Sequence, residues 1–513
     1  MYSLCCFVNG IGSRLITHFV STQSISNLIL KRIRLATVTM TQAYENAPSL
    51  ISTKQSRIVL VIAGPTAVGK SAMALQIAQI LEPNVKSEII VADSVQVYRN
   101  LDIGSNKPTQ FEQEQLPHHL VNIADPKTDD FNAGRFYDRA LNAIDQVLER
   151  NHLPIVVGGT MMYIAWLVHG KTTAPTSTAD LRETVRLQLE PFMKENDWIS
   201  ALNLLKTLDP DRAAQINRND WNRLSRSLEI ASSSGSTLAE FSKHGAVPSR
   251  VRKRSAGEGD RDVSHSYQSS DIYDYRCFFA NAKREPLSRR IDLRCEQMIE
   301  SGLLEEVGKL LQSGQLREDS SAGRAIGYRQ SISYLIERHR SQCEDPSARI
   351  DTGKTPVQAR GGPSADVQAF RAFVDEFSSA SRQYARAQLK WFRREMIFQW
   401  VSMDGDEEMD VETRLRSNAE RIARLIGLDR EAYDACVSNA RQDQLKLRAE
   451  TYSEAKSMKK YLSQRQLILP KSNLEAKCVA DAERIARSLS FTTRKPFHDF
   501  ETNDEGTISD KSQ

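Results

Sequence analysis

Eight consecutive residues, Gly64, Pro65, Thr66, Ala67, Val68, Gly69, Lys70 and Ser71, form the stretch of this chain best equipped for chemistry. They follow the apolar run Arg57 to Ala63, rich in β-branched residues, and precede Met73, Ile77 and Leu81 at helical spacing. The context is strand, glycine-bounded loop, helix. Gly64 and Gly69 let the backbone turn its N–H groups inward, and Lys70 and the helix N-terminus add positive charge where an anion would sit. Ser71 can then hold Mg²⁺ on the bound phosphates. A chance glycine turn would not need all these positions in this context. The motif fixes phosphate binding and leaves the reaction open.

Two further strand ends belong beside that loop. Glu88 to Ala92 is a short apolar run that ends in Asp93-Ser94. In an α/β protein the carboxyl ends of strands border the ligand crevice, so Asp93 can be a metal ligand, a general base, or a cap for the next turn. The polar residues from Ser94 to Thr109 read as a substrate-facing loop. Pro154 to Val157 runs into Gly158-Gly159-Thr160, where glycines permit close backbone approach and Thr160 offers a hydroxyl. A P-loop ATPase ordinarily carries an acidic residue after such a strand to hold metal or order water. None is present, which suggests a diphosphate held as a leaving group.

The elements that must position these groups exceed one usual domain: the chain has 513 residues. With 40% apolar residues it can bury globular cores, and a net charge of +4 leaves any case for nucleic acid to local clustering. Seven scattered cysteines, with no CxxC pair, argue against both a disulfide framework and a zinc knuckle. No later run of apolar residues is long enough to span a membrane.

Cations cluster in three places. Asn203 to Ser234 has helical spacing, with Trp221, Leu224 and Leu228 on one stripe and Arg223 and Arg226 beside it; alone, those arginines would read as a solvated face. Arg324 and Arg329, in Gly323 to Gln330, follow a helical pattern over Ser288 to Leu311 and can grip diphosphate or RNA phosphate, or serve structural ion pairs. Over Glu376 to Trp400, Ala385, Leu389, Phe392 and Met396 make one helical stripe, and Arg382, Arg386, Lys390 and Arg393 a second. One stripe docks and the other meets RNA phosphate; Trp391 and Phe398 can pack in the core or stack on a base, with the core expected.

The motifs GPTAVGKS, DSVQVYRNLDIGSNKP, HHLVNIADP, GGTMMY, NRLSRSLEI, AIGYRQ and RQYARAQLKWFRRE occur in the order they take in the tRNA dimethylallyltransferases, or tRNA isopentenyltransferases. The resemblance covers about residues 57–399. It implies an α/β fold: a P-loop NTPase-like core with a parallel sheet, carrying a helical insertion. It also implies transfer of a dimethylallyl group from dimethylallyl diphosphate to N6 of adenine 37 in tRNAs reading codons that begin with U, with Mg²⁺ as cofactor. Asp93 resembles the family's general base and Thr66 its threonine near the scissile oxygen. Lys70 is the third catalytic candidate, and the loop from Gly64 to Ser71 with Arg324 would hold the diphosphate. Asp93, Ser94, Val95, Gln96 and Thr160 resemble the tRNA-contacting positions. The match also favours RNA contact for Arg223 and Arg226, and Arg329, Arg386, Lys390 and Arg393 complete that set. An adenylate isopentenyltransferase acting on AMP, ADP or ATP, a small-molecule kinase and a non-catalytic RNA-binding protein are the competing readings; the anticodon stem-loop of tRNA is the expected partner and a monomer the expected state.

The remaining expectations concern organisation. Residues 1–50 form a leader, whose first 44 lack acidic residues, and resemble a mitochondrial transit peptide; a start at Met40 would leave a cytoplasmic or nuclear form. The core begins at 51–200, an RNA-binding helical insertion occupies 201–280, and the rest of the core 281–402. Loop-like interruptions fall at 244–270, with the basic run Arg250 to Arg254, and at 339–365. Glu412 to Leu428 is expected to form a helix that closes the core, within an extension over 403–513 that is helical and then disordered. Cys436, Cys478 and His498 lack finger spacing, and His118 and His119 read as structural.

Overall fold

The computed structural model describes residues 57–489, apart from 129–130, 172–173, 176, 236–240, 242–271, 344–363, 406–408 and 450–451. The expectations for the leader, the basic run and the end of the chain lie outside the described residues.

The first half alternates strand and helix: β1 (Ile58–Ala63), α1 (Lys70–Leu81), β2 (Ser87–Ala92), α2 (Gln110–Gln115), β3 (His118–His119), α3 (Ala133–Glu149), β4 (Leu153–Gly158) and α4 (Met161–His169). β1, β2 and β4 are buried along their whole length, as continuous aliphatic runs must be when helices cover both faces of a parallel sheet. The sheet has six strands in the order β3-β2-β4-β1-β5-β6, with β5 at Asp274–Asn281 and β6 at Gln399–Ser402. Every pairing is parallel, and Ala63 and Ala92 both stand level with Gly158. The loop after β1, Asp93 after β2 and Gly159-Thr160 after β4 therefore emerge at one edge.

Between β4 and β5, α5 (Ala179–Lys194), α6 (Trp198–Lys206), α7 (Pro210–Gln215) and α8 (Trp221–Ser234) build a separate small core of Val185, Leu189, Trp198, Leu205, Leu224 and Leu228. The insertion thus begins at Ala179, not at 201. The helical run expected over Asn203 to Ser234 is broken twice, because Asp209 and Asp220 each cap a new helix by accepting a bond from an amide of its first turn.

α9 (Arg284–Glu300) and α10 (Leu303–Gln312) replace the single pattern expected over Ser288 to Leu311; Gly302, at φ 103, turns the chain between them. α11 (Tyr328–Cys343) and α12 (Ala365–Phe392) follow, trimming the second interruption at both ends. The helix expected through Trp400 stops at Phe392. Trp400, fully buried, belongs to β6, and Met396 is exposed rather than part of the apolar stripe. Ala385, Leu389, Phe392 and Phe398 are buried as expected, with Trp391 packed against them.

α13 (Val411–Ile426) buries Ala419, Ile422 and Ile426 and packs on α1, so it is part of the α/β core rather than of an extension. α14 (Arg430–Asn439), α15 (Arg441–Arg448), α16 (Tyr452–Lys459) and α17 (Asn473–Ser488) complete the described chain, with α17 packed on α10, α11 and α12.

One buried carboxylate was hidden inside an apolar strand. Glu88 accepts bonds from Arg150 at 2.7 and 2.8 Å, from His119 at 2.6 Å and from His152 at 2.7 Å. Burial alone would push its carboxyl up, but these partners outweigh it and hold it at about 2, against the usual 4.5. The unfolded chain takes up this proton near 4.5 while the folded chain does not, so the contribution is complete above that pH and is lost as pH falls toward 2. The thermal midpoint of Glu88→Gln should lie below wild type at pH 6, with the gap narrowing steadily below pH 4.5; a pH-independent gap would contradict the network.

Candidate active site

The loop from Gly64 to Ser71 takes left-handed backbone at Ala67, φ 60, and at Gly69, φ 102, the alternation that gathers successive amides on one concave side. Lys70 opens α1 and donates to the Pro65 carbonyl at 2.8 Å. Burial, and then the charge of Arg294, bring its ammonium down to about 7, although Asp93 pulls the other way. An arriving anion relieves that pressure and restores the proton. Ser71 follows on the exposed side of α1.

Of the roles open to it, Asp93 takes that of a cap, and it lines both cavities of the site. Its Oδ1 accepts from the amides of Val95 at 2.8 Å and Gln96 at 3.3 Å, which caps the following turn. Gln96 donates to the carbonyls of Ser105 and Asn106, both at 3.0 Å, and so shapes the polar loop after Asp93. Thr160 stands behind: its hydroxyl accepts from the Ser94 amide at 3.2 Å and hydrogen-bonds Tyr384.

Three residues that the sequence reading did not single out complete the centre. Arg294 of α9 donates to the Thr66 hydroxyl at 3.1 Å. Gln388 of α12 accepts from the Thr66 amide at 3.1 Å and donates to the Gly159 carbonyl at 2.9 Å. A side chain on Gly159 would collide with Gln388, the new Cβ lying 2.3 Å from its amide nitrogen. Tyr384, whose phenol is raised to about 12 by burial and then by Asp93, stays neutral. A common signal marks two of them. Arg294 shares a stripe with Ile291, Cys295 and Met298, and Gln388 one with Ala385, Leu389 and Phe392. A polar side chain placed in an otherwise apolar helical stripe needs a specific partner.

Two cavities meet among these groups. The first, about 580 Å³, is lined by Ser94, Val95, Asn222 of α8 and Arg324, with an apolar wall that includes Met298 and Phe377. The second, about 340 Å³, is lined by Lys70, Ser71, Gln96, Gly159 and Gln388. Thr66, Asp93, Arg294 and Tyr384 line both. Arg324, expected with the diphosphate loop, is exposed on the first cavity and is not on the wall that carries Lys70 and Ser71.

The remaining arginines divide. Arg223 pairs with Asp220 at 2.9 Å, and Arg226 ties α8 and its Glu229 to Ser177 and the Pro175 carbonyl, just before the insertion; neither lines the cavities, whereas their neighbour Asn222 does. Arg329 is exposed on the first turn of α11, outside both cavity walls. On α12, Arg386 and Lys390 are exposed and Arg382 turns inward to Asp292, while Arg393, just past the end of the helix, is half-buried. His118 and His119 bond the Leu116 carbonyl and Glu88, as structural residues. No group of three or more metal-ligating side chains occurs among the described residues, and no helix among them is long and apolar enough to cross a membrane.

The IPP transferase family model matches residues 96–395. The chain is similar to tRNA dimethylallyltransferase 9 of Arabidopsis thaliana, 34% identical over 73% of this chain and 78% of that one. It is likewise similar to the tRNA dimethylallyltransferase of Protochlamydia amoebophila, 34% identical over 71% and 89% respectively. A solved structure of a eukaryotic dimethylallyltransferase acting on tRNA, 24% identical, covers 75% of this chain and 85% of that one with a TM-score of 0.51, a likeness of fold. By sequence and by the match to its central residues, this chain belongs to the IPP transferase family and is a prenyltransferase of tRNA modification.

Proposed function

We propose that the protein transfers the dimethylallyl group of dimethylallyl diphosphate to N6 of adenine 37 in tRNAs reading codons that begin with U. The observation that carries this reading is the junction of the two cavities at Thr66, Asp93, Arg294 and Tyr384. A donor anchored by its anionic end in the second cavity and a purine entering from the first meet there. An anticodon-loop adenine must leave its stack to do so.

The amides of Gly64 to Ser71 and Lys70 bind the diphosphate. As the bond between C1 and the diphosphate oxygen breaks, negative charge grows on that oxygen, and Arg294 and Thr66 stand where it develops. The N6 lone pair forms the new bond to C1, and the N6 proton passes to the free oxygen of Asp93. Tyr384 and Gln388 exclude water and fix the loop against Gly159.

Mg²⁺ fits this donor set. Ser71 offers an exposed hydroxyl on the wall shared with Asp93, and few protein ligands suit an ion that keeps phosphate oxygens and waters. When bound, it neutralises charge on the diphosphate. We further propose a monomeric enzyme sent to mitochondria by its leader, with a cytoplasmic or nuclear form from Met40.

Purified protein supplied with labelled dimethylallyl diphosphate, anticodon stem-loop RNA, AMP and ATP should label only the RNA. Label on free nucleotide would make it an adenylate isopentenyltransferase, and phosphoryl transfer from ATP a kinase. The exposed cations of α12 and the turn after it grip the RNA backbone: removing the charges of Arg386, Lys390 and Arg394 should reduce the slope of log affinity against log salt by about 2. An unchanged slope would clear that surface of RNA.

A further inference from the structure

α9 has two working faces. Arg294 points to Thr66. Asp292 and Glu296, each two residues away and so on the opposite side of the helix, are both 1% exposed. All their partners but one, Arg382 of α12, come from the segment between α16 and α17. Asp292 accepts from the hydroxyls of Tyr461 and Ser463, both at 2.7 Å, and from Arg382 of α12. Glu296 accepts from the consecutive amides of Gln466, Leu467 and Ile468 at 3.0, 2.8 and 2.6 Å. The side chain of Gln466 donates to the Arg289 carbonyl at 2.9 Å.

The same segment grips α12, the helix that carries Tyr384 and Gln388. Arg465 donates to the Arg371 carbonyl at 3.1 Å and pairs with Asp375. Glu475, at the start of α17, takes two bonds from Arg371 at 2.7 and 2.8 Å. All of this chain from Tyr461 onward lies beyond residues 96–395 of the family match. Well-packed apolar residues would hold two helices against a strap at least as firmly as buried carboxylates do. Directional bonds add something that apolar contact lacks, a fixed rotation and height of the helix.

We propose that Asp292 and Glu296 are positioning residues, through which Tyr461 to Ile468 sets the rotation of α9 and thereby the place of Arg294 at the departing diphosphate. The inference rests on the reading of Arg294 given above. A misplacement of about 1 Å at a reacting group costs about 10²-fold in rate.

The test is a double-mutant cycle in the full chain, read by single-turnover transfer from labelled dimethylallyl diphosphate to stem-loop RNA. Glu296→Gln should slow transfer by about 10²-fold, and the milder Tyr461→Phe/Ser463→Ala variant by about tenfold, with RNA affinity unchanged. Neither change should slow transfer further once Arg294→Ala is present. Losses that multiply with that of Arg294→Ala would overturn the proposal, as would wild-type transfer in Glu296→Gln. If Glu296→Gln fails to fold, the Tyr461/Ser463 variant decides: wild-type transfer there would overturn the proposal. Wild-type transfer by Arg294→Ala alone would instead remove the role of Arg294 in the reaction.

Discussion

Asp93→Asn is expected to slow prenyl transfer by about 10² to 10⁴-fold while leaving the fold and RNA affinity at wild-type levels. The amide oxygen of asparagine can still accept from Val95 and Gln96 and keep the turn that Oδ1 caps. Its other end has become an NH₂ group, which cannot take a proton from N6. Asp93→Ala removes base and cap together and should abolish transfer with the fold intact. Single-turnover kinetics with stem-loop RNA separate the two effects, and near-wild-type turnover in either variant would take Asp93 out of the mechanism.

Arg294→Ala should lower the rate of the chemical step by about 10² to 10³-fold, with little change in the affinity for RNA. The guanidinium is held by helix α9 against the Thr66 hydroxyl, and burial already lowers its hold on the proton while Asp93 raises it. A cation kept in so poorly solvated a place does most where negative charge appears during the reaction. Measured dissociation constants for dimethylallyl diphosphate and single-turnover rates distinguish the possibilities. A loss confined to donor binding, with an unchanged chemical rate, would make Arg294 an anchor for the ground state only.

What could be read from the sequence was what is encoded locally. The glycine-bounded loop, the strand before it and the helix after it are contiguous, and the aliphatic runs of β2 and β4 end at Asp93 and Gly159 where a parallel sheet gathers its functional groups. The family match and both relatives agree with the reaction that the ordered motifs implied. Partnerships formed at long range stayed hidden. Arg294 meets Thr66, and Gln388 meets Gly159, across more than 220 positions; nothing near either residue names its partner. β5 mixes Asp274, Arg276 and three aromatics and so lacks a clean strand signature. Its buried Arg276 is held by Asp274, by the carbonyls at the end of α13 and by the ring of Tyr433. The charged extension was expected to be helical and then disordered, yet between its helices Glu296 and Asp292 draw Tyr461 to Ile468 onto the core by hydrogen bonds that no hydrophobic pattern foretells.

The most direct measurement is a crystal structure with dimethylallyl thiodiphosphate and an anticodon stem-loop bound together. The account predicts the diphosphate on the amides of Gly64 to Ser71, and C1 about 3 to 3.5 Å from the N6 of an everted adenine, inside the junction walled by Thr66, Asp93, Arg294 and Tyr384. Donor and adenine seated in compartments without a common opening, or an adenine whose N6 faces away from Asp93, would contradict it.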